Sequence, residues 1–284
     1  MIHSLIPENN ATGCYNMVNY RQINYEVMTD TKRLYESVPE LKDAIRNSIE
    51  NQFMVSHEDY IRIENTESCH TQFIVSGKRS FEAAKGYKGK KVAVLNFANN
   101  HSIGGAPFYA GAQEESLCRC STLYPCLEAM KYCYYEKHIR QYAAREINYM
   151  GNDDLIYTPD VVVFKADERT VPIYPKMMNQ DDWYKVDVIT SAAPELWKGN
   201  PMPNNYEDQI TSRIKKILDV AAQQYVEVLI LGAWGCGAFC NPSGVVAQVF
   251  RSQLKSYNFE TVEFALATHG DLEENAFAKA FRTL

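Results

Sequence analysis

Long hydrophobic runs are missing from this sequence. No apolar stretch approaches the roughly 18 residues that a membrane span needs. The opening residues, MIHSLIPENN, hold no basic segment followed by an apolar core. No secretory leader is expected, and the expected setting is cytoplasmic. Basic clusters are also scarce. Outside Lys88, Lys90 and Lys91 no group of cations stands out, and 29 Lys plus Arg face 35 Asp plus Glu, a net charge of −6. That balance argues against a reader of duplex DNA, although fixed local groups can still bind a polyanionic ligand. There is no CxxC among the eight cysteines. Cys118, Cys120, Cys126 and Cys133 crowd one stretch at spacings that match no zinc knuckle or ribbon. Reduced thiols, no metal site and no cofactor are therefore expected. Two nucleotide fingerprints are absent as well: GxGxxG, and a glycine loop ending in GK[ST].

What is present is ordinary globular composition, 46% apolar and 23% charged over 284 residues. The length suits one large domain or two small ones, with roughly 75% of the unfolded surface buried. Residues 1 to about 68 are polar and Asn-rich. Within them Leu34, Val38, Leu41, Ile45 and Ile49 recur at spacings of three and four, which predicts an amphipathic helix with Pro39 in its first turn. The chain is expected to divide into a helical N-terminal extension, 1–68, packed on a main domain, 69–284.

In that main domain strands and helices alternate. Apolar runs of strand length lie at 92–97, 161–164, 186–190, 226–231 and 262–267. Helical patterns lie at 113–124, 127–148, 207–224, 246–254 with Ser243 as N-cap, and 273–282. Continuous apolar strands separated by helices predict an α/β fold with a sheet buried on both faces, a three-layer α/β/α domain. Ligands of such sheets sit beyond the carboxyl ends of strands. That rule selects 98–115, 191–206 and 232–243.

The last of these reads Gly232-Ala-Trp-Gly-Cys-Gly-Ala-Phe-Cys-Asn-Pro242 and runs into a helix. Its glycines free the backbone for close approach, and a glycine turn before a helix presents N–H groups to an anion. The reading is a phosphate or diphosphate cradle from the backbone of Gly235, Cys236, Gly237, Ala238 and Phe239. The alternative is a tight structural turn. The Phe239 ring either stacks on a ligand ring or plugs the core. Cys236 and Cys240 lie in the same loop, but a thiol nucleophile needs a basic partner and no His lies nearby in sequence. Trp197 and Trp234 are core or rim.

The first segment carries Gly104-Gly105 and then Gln113, Glu114 and Glu115 at a helix start. Acidic residues favour a first turn through the helix dipole, which alone explains one Glu well. Arg119, four residues on, either pairs with Glu115 or faces the interior or solvent. His101 touches ligand or is solvated.

Gly-Gly, a short spacer and Gln-Glu-Glu-Ser-Leu-Cys-Arg-Cys-Ser-Thr-Leu-Tyr resemble the signature of microbial-type poly(ADP-ribose) glycohydrolases, members of the macrodomain fold. Val-Leu-Asn-Phe-Ala before it and Gly-Ala-Trp-Gly-Cys-Gly-Ala-Phe after it are similar to that family too. The resemblance implies a macrodomain-like mixed sheet and hydrolysis of the ribose–ribose O-glycosidic bond, releasing ADP-ribose. Its substrate would be poly(ADP-ribose) or an ADP-ribosylated macromolecule. A non-catalytic ADP-ribose-binding module and a mono-ADP-ribosyl hydrolase share the cleft and stay open.

On this reading Glu115 is the acid at the leaving oxygen and then the base for water, and Glu114 holds ribose hydroxyls. Gln113, Gly104 and Gly105 join the substrate site, and Asn99 or Asn100 positions the ribose. A helix start acidifies a Glu, whereas a general acid must hold its proton. The neighbouring carboxylate, burial and the substrate diphosphate oppose that effect. The family pattern has three consecutive Gly. Here Ile103 and Ala106 flank only two, and a Cβ at the third place is expected to narrow the room for the terminal ribose.

Overall fold

Alternate residues of the central strands face opposite layers, and this period of two builds two cores. The structure, a computed structural model, describes residues 19–63, 70–166, 175–268 and 272–282. The opening segment read for a leader lies outside them. The N-terminal part holds α1 (Tyr20–Ser37), α2 (Pro39–Asn51) and β1 (Phe53–Val55), followed by β2 (Gln72–Ser76), α3 (Ser80–Lys85) and β3 (Val92–Ala98). Next come α4 (Gln113–Cys120), α5 (Leu123–Ala129), a π turn (Lys131–Tyr135), α6 (Glu136–Ala143) and β4 (Leu155–Val163). Then β5 (Lys165–Ala166), β6 (Lys176–Met177) and β7 (Tyr184–Ala192) lead to α7 (Tyr206–Gln223) and β8 (Val228–Leu231). The chain continues through α8 (Ser243–Leu254), β9 (Thr261–Ala265) and α9 (Ala276–Phe281).

Among the described residues seven strands form one mixed sheet in the order β1-β4-β7-β3-β8-β9-β2. From β7 to β2 the neighbours are parallel, while β4 runs antiparallel to β7 and β1 antiparallel to β4. Ala93 and Leu95 of β3 pack with Ile210, Ile214 and Ile217 of α7 and with Phe250 of α8. Val92 and Val94 face the other way, onto Phe81 of α3, Leu117 of α4 and Leu123 of α5. Helices on both faces make this the expected three-layer, macrodomain-like α/β architecture.

The N-terminal helices pack outside α4 and α5. Tyr35 and Leu41 meet Val162 and Phe164 at the end of β4. The single helix expected over 34–49 is two. Val38 is extended (φ −81°, ψ 120°) because the following proline disfavours helical backbone there, and Pro39 opens α2. The helix expected at 127–148 is also broken. Met130 (φ −86°, ψ 7°) leads into the π turn, and Arg145 (φ 60°) follows α6. That at 113–124 ends at Cys120, because Ser121 is fully extended and bridges to Val163. Strand 161–164 is the second half of β4, which bulges between Thr158 and Val161 with Asp160 at φ 57°. Pro242, not Ser243, holds the N-cap position of α8.

Candidate active site

A cleft of about 720 Å³ opens at the carboxyl ends of β3, β8 and β9, as the strand-end rule expects. Its floor is built from the start of α4. Gln113 is the first helical residue and does not point at open space. Its Oε1 accepts from the Phe97 N–H (2.9 Å), and its Nε2 donates to the Leu95 carbonyl (2.8 Å) and to Ser80 Oγ (3.1 Å). This residue stitches the helix start to β3.

Glu114 and Glu115 are both buried, yet they turn to different partners. Glu114 faces the strand. Its Oε1 accepts from Asn96 Nδ2 (3.2 Å) and its Oε2 from the Asn99 N–H (2.9 Å). Burial, helped by the Glu115 charge, pushes the Glu114 carboxyl up to about 8 against those two hydrogen bonds. Glu115 faces the glycine loop, where its Oε1 accepts from the Ala106 N–H at 3.1 Å. Gly105 makes this approach possible. It sits at φ +68°, and a Cβ there would lie 2.5 Å from Glu115 Oε1 and 3.2 Å from Glu114 Oε2. Gly104 lies behind, where a Cβ would meet Cys118 Sγ and the Tyr124 ring, both at 2.9 Å. Of the two residues flanking the glycine pair, Ala106 lines the cleft and Ile103 packs on the core.

Asn99 also lines the cleft. Its Oδ1 accepts from the His101 and Ser102 N–H groups (2.7 and 2.9 Å), which fixes the orientation of its amide. Among the described residues its Nδ2 has no protein partner. Asn100 turns away from the cleft, toward Gly151. The His101 ring meets the Tyr142 edge (5.2 Å), and Arg119 is buried with Nη1 donating to the Pro107 and Ala110 carbonyls (2.8 and 2.7 Å).

The opposite wall is the 232–241 loop. It is tied to itself: Asn241 Nδ2 donates to the Gly235 and Pro194 carbonyls, and the Asn241 N–H donates to the Gly235 carbonyl (2.9, 2.8 and 3.0 Å). Gly235 (φ +72°) lies so close that a Cβ would stand 2.5 Å from Ala193 Cβ. Among the described residues the amides of Gly235, Gly237, Ala238 and Phe239 donate to no protein acceptor. They are open donors on a cleft wall just before α8, the local chemistry an anion needs. The Cys236 amide is already used, donating to the Ala233 carbonyl. Its thiol packs against the core, and burial pushes it up to about 12, the reverse of activation. Phe239 both lines the cleft and rests on the core. Trp234 is core, with Nε1 donating to the Ser191 carbonyl (2.9 Å), whereas Trp197 stands on the rim.

Sequence reasoning missed Asn96, which is fully buried and holds Glu114 from inside β3. It also missed the far wall from Arg79 to Phe81 and from Ala265 to Ala267. The strand-end rule applied to β9 would have found the latter. Among the described residues no group of three or more His, Cys, Asp or Glu is placed to hold a metal, and no helix is long and apolar enough to cross a membrane.

A mixed sheet with helices on both faces, a wall of open amides and a buried pair of carboxyl groups make a macrodomain-like fold whose cleft holds the groups a glycosidase needs. Residues 26–166 match the microbial-type PARG catalytic domain. The poly(ADP-ribose) glycohydrolase of Thermomonospora curvata superposes with a TM-score of 0.77 at 26% identity, covering 91% of this chain and 99% of that one. Its complex with the inhibitor ADP-HPD gives 0.73 over the same shares at 26%. The Deinococcus radiodurans enzyme in complex with ADP-ribose gives 0.64 at 27%, covering 89% and 95%. No curated protein sequence matches the chain. The chain belongs to the microbial-type PARG family.

Proposed function

We propose that the chain hydrolyses the ribose–ribose O-glycosidic bond of poly(ADP-ribose), with Glu115 as general acid and then general base. The observation that carries this reading is the Glu115 carboxyl, buried at the glycine gap and oriented by the Ala106 N–H (3.1 Å). ADP-ribose lies with its diphosphate on the open amides of Gly235, Gly237, Ala238 and Phe239 and its ring beside Phe239. The terminal ribose lies over Glu114 and Asn99, whose free Nδ2 donates to a ribose hydroxyl. Gly105 supplies the room for that ribose, while Gln113 and Gly104 support the floor from behind.

Hydrolysis passes through an oxocarbenium-like centre and needs a proton at the departing oxygen. Burial holds the Glu114 carboxyl up to about 8, so Glu114 keeps its own proton near neutral pH and adds little negative charge beside Glu115. Glu115 gives a proton to the departing ribose oxygen, and the C–O bond breaks. Water adds to the anomeric carbon and returns a proton to Glu115. The products are ADP-ribose and a shortened chain ending in a ribose hydroxyl. The relatives whose structures hold ADP-ribose and ADP-HPD support the same ligand class here.

The test is Glu115→Gln on labelled poly(ADP-ribose). Release of ADP-ribose is expected to fall by at least about a thousandfold, with ADP-ribose affinity within threefold of the parent by calorimetry. Cleavage at the parent rate refutes the acid. Retention of polymer by the parent chain without any release would make the protein a binding module.

A further inference from the structure

The wall of the cleft beside Glu115 is the loop from Gly105 to Ala112, and the amides of 235–239 stand on the opposite wall. If the diphosphate of the terminal unit lies on those amides, the rest of the polymer leaves the cut bond across the 105–112 loop. An aromatic surface waits just outside it. Tyr109 of the loop and Tyr25 of α1 lie parallel with centroids 6.1 Å apart and remain 49% and 45% exposed. Phe108 leans on Tyr25 at 5.9 Å. The Arg21 guanidinium sits 4.7 Å above the Tyr109 ring, exposed and without an ion pair among the described residues.

We propose that Arg21, Tyr25, Phe108 and Tyr109 form a subsite for the ADP-ribose unit on the leaving side of the scissile bond. This rests on the reading that poly(ADP-ribose) is the substrate. In that polymer the departing hydroxyl belongs to an adenosine ribose, so an adenine ring and a diphosphate follow the cut bond directly. Exposed aromatic faces stack bases of any identity, and a free guanidinium suits a phosphate. Arg21, which has no ion pair among the described residues, stands over the Tyr109 ring where it can meet that diphosphate. The platform is also rigid. Asn24 Nδ2 donates to the Tyr109 and Ala110 carbonyls (3.2 and 3.0 Å), and Arg119 holds the same loop from inside. A surface fixed before binding loses little freedom on binding. α1 thereby contributes half of a substrate site that the main sheet does not supply.

The experiment compares a two-unit oligomer of poly(ADP-ribose) with free ADP-ribose, which lacks the leaving unit. In the full chain, Tyr109→Ala is expected to raise KM for the oligomer about tenfold, and Arg21→Ala about threefold with a shallower salt dependence of KM. In both variants kcat stays within twofold and the Kd for ADP-ribose is unmoved. Tyr109→Phe restores the parent KM. An oligomer KM at the parent value in both Ala variants overturns the subsite. So does a parallel fall in kcat and ADP-ribose affinity, which marks a displaced loop. A parent chain that releases no ADP-ribose overturns the proposed function and this subsite together, whereas the two preceding outcomes leave that function standing.

Discussion

The two glycine loops of the cleft look alike in sequence and are built on opposite plans. The 104–112 loop is held by side chains of other elements, Asn24 of α1 and Arg119 of α4, and it spends an amide on the Glu115 carboxyl. The 232–241 loop is held from within, by Asn241, and leaves its amides open to the cleft. Their glycines differ accordingly. Gly105 makes room for a catalytic candidate, Gly235 makes room for the loop's own brace, and a Cβ on Gly237 would meet nothing within 4 Å. One loop positions a side chain and the other presents backbone.

The largest effect should come from Gly105→Ala. Its Cβ would lie 2.5 Å from Glu115 Oε1 on left-handed backbone. Displacing the carboxyl by ~1 Å should cost on the order of a hundredfold in kcat. A rate within threefold of the parent would show that Gly105 is not what places the acid. Gly235→Ala should instead act on stability, since left-handed backbone costs an L residue about 1–2 kcal/mol before the Ala193 clash is added. Denaturant melts would read this, and an unchanged midpoint would break the contrast between the loops.

A third test separates the two carboxylates by pH. Burial raises Glu114 from an ordinary 4.5 to about 8, so the folded chain keeps a proton that the unfolded chain releases. Stability attributable to this group is complete below pH 4.5 and should be lost as pH climbs toward 8, by a few kcal/mol in all. Glu114→Gln should flatten that slope in melts from pH 5 to 8. An identical slope in the variant would place the titration elsewhere. The smallest effect is expected of Gly237→Ala, with unchanged melting and an ADP-ribose Kd within about threefold.

The sequence made the buried centre of the sheet legible, because β3, β7, β8 and β9 each carry a short, mostly apolar run. β1 and β2 were not. Phe53–Val55 is three residues long and Gln72–Ser76 only partly buried, so neither leaves a periodic signal. α1 escaped notice because its buried face mixes Ile23, Val27 and Met28 with Thr31 and Tyr35. The carboxylate pair and both glycine loops could be read from residue types alone. The assignment of each side chain to floor or cleft could not. Nothing local tells that Gln113 bonds backbone on β3, that Asn100 turns toward Gly151, or that the Cys236 amide is already occupied, since those partners lie across the fold.

β1 has a further consequence. This three-residue strand covers the first part of the outer margin of β4, Leu155 to Tyr157. A chain shortened to begin beyond Val55 would bare that margin, with its row of unpaired carbonyls and amides. Strand addition between copies would follow, so the shortened protein should associate and precipitate more readily than the chain that keeps β1.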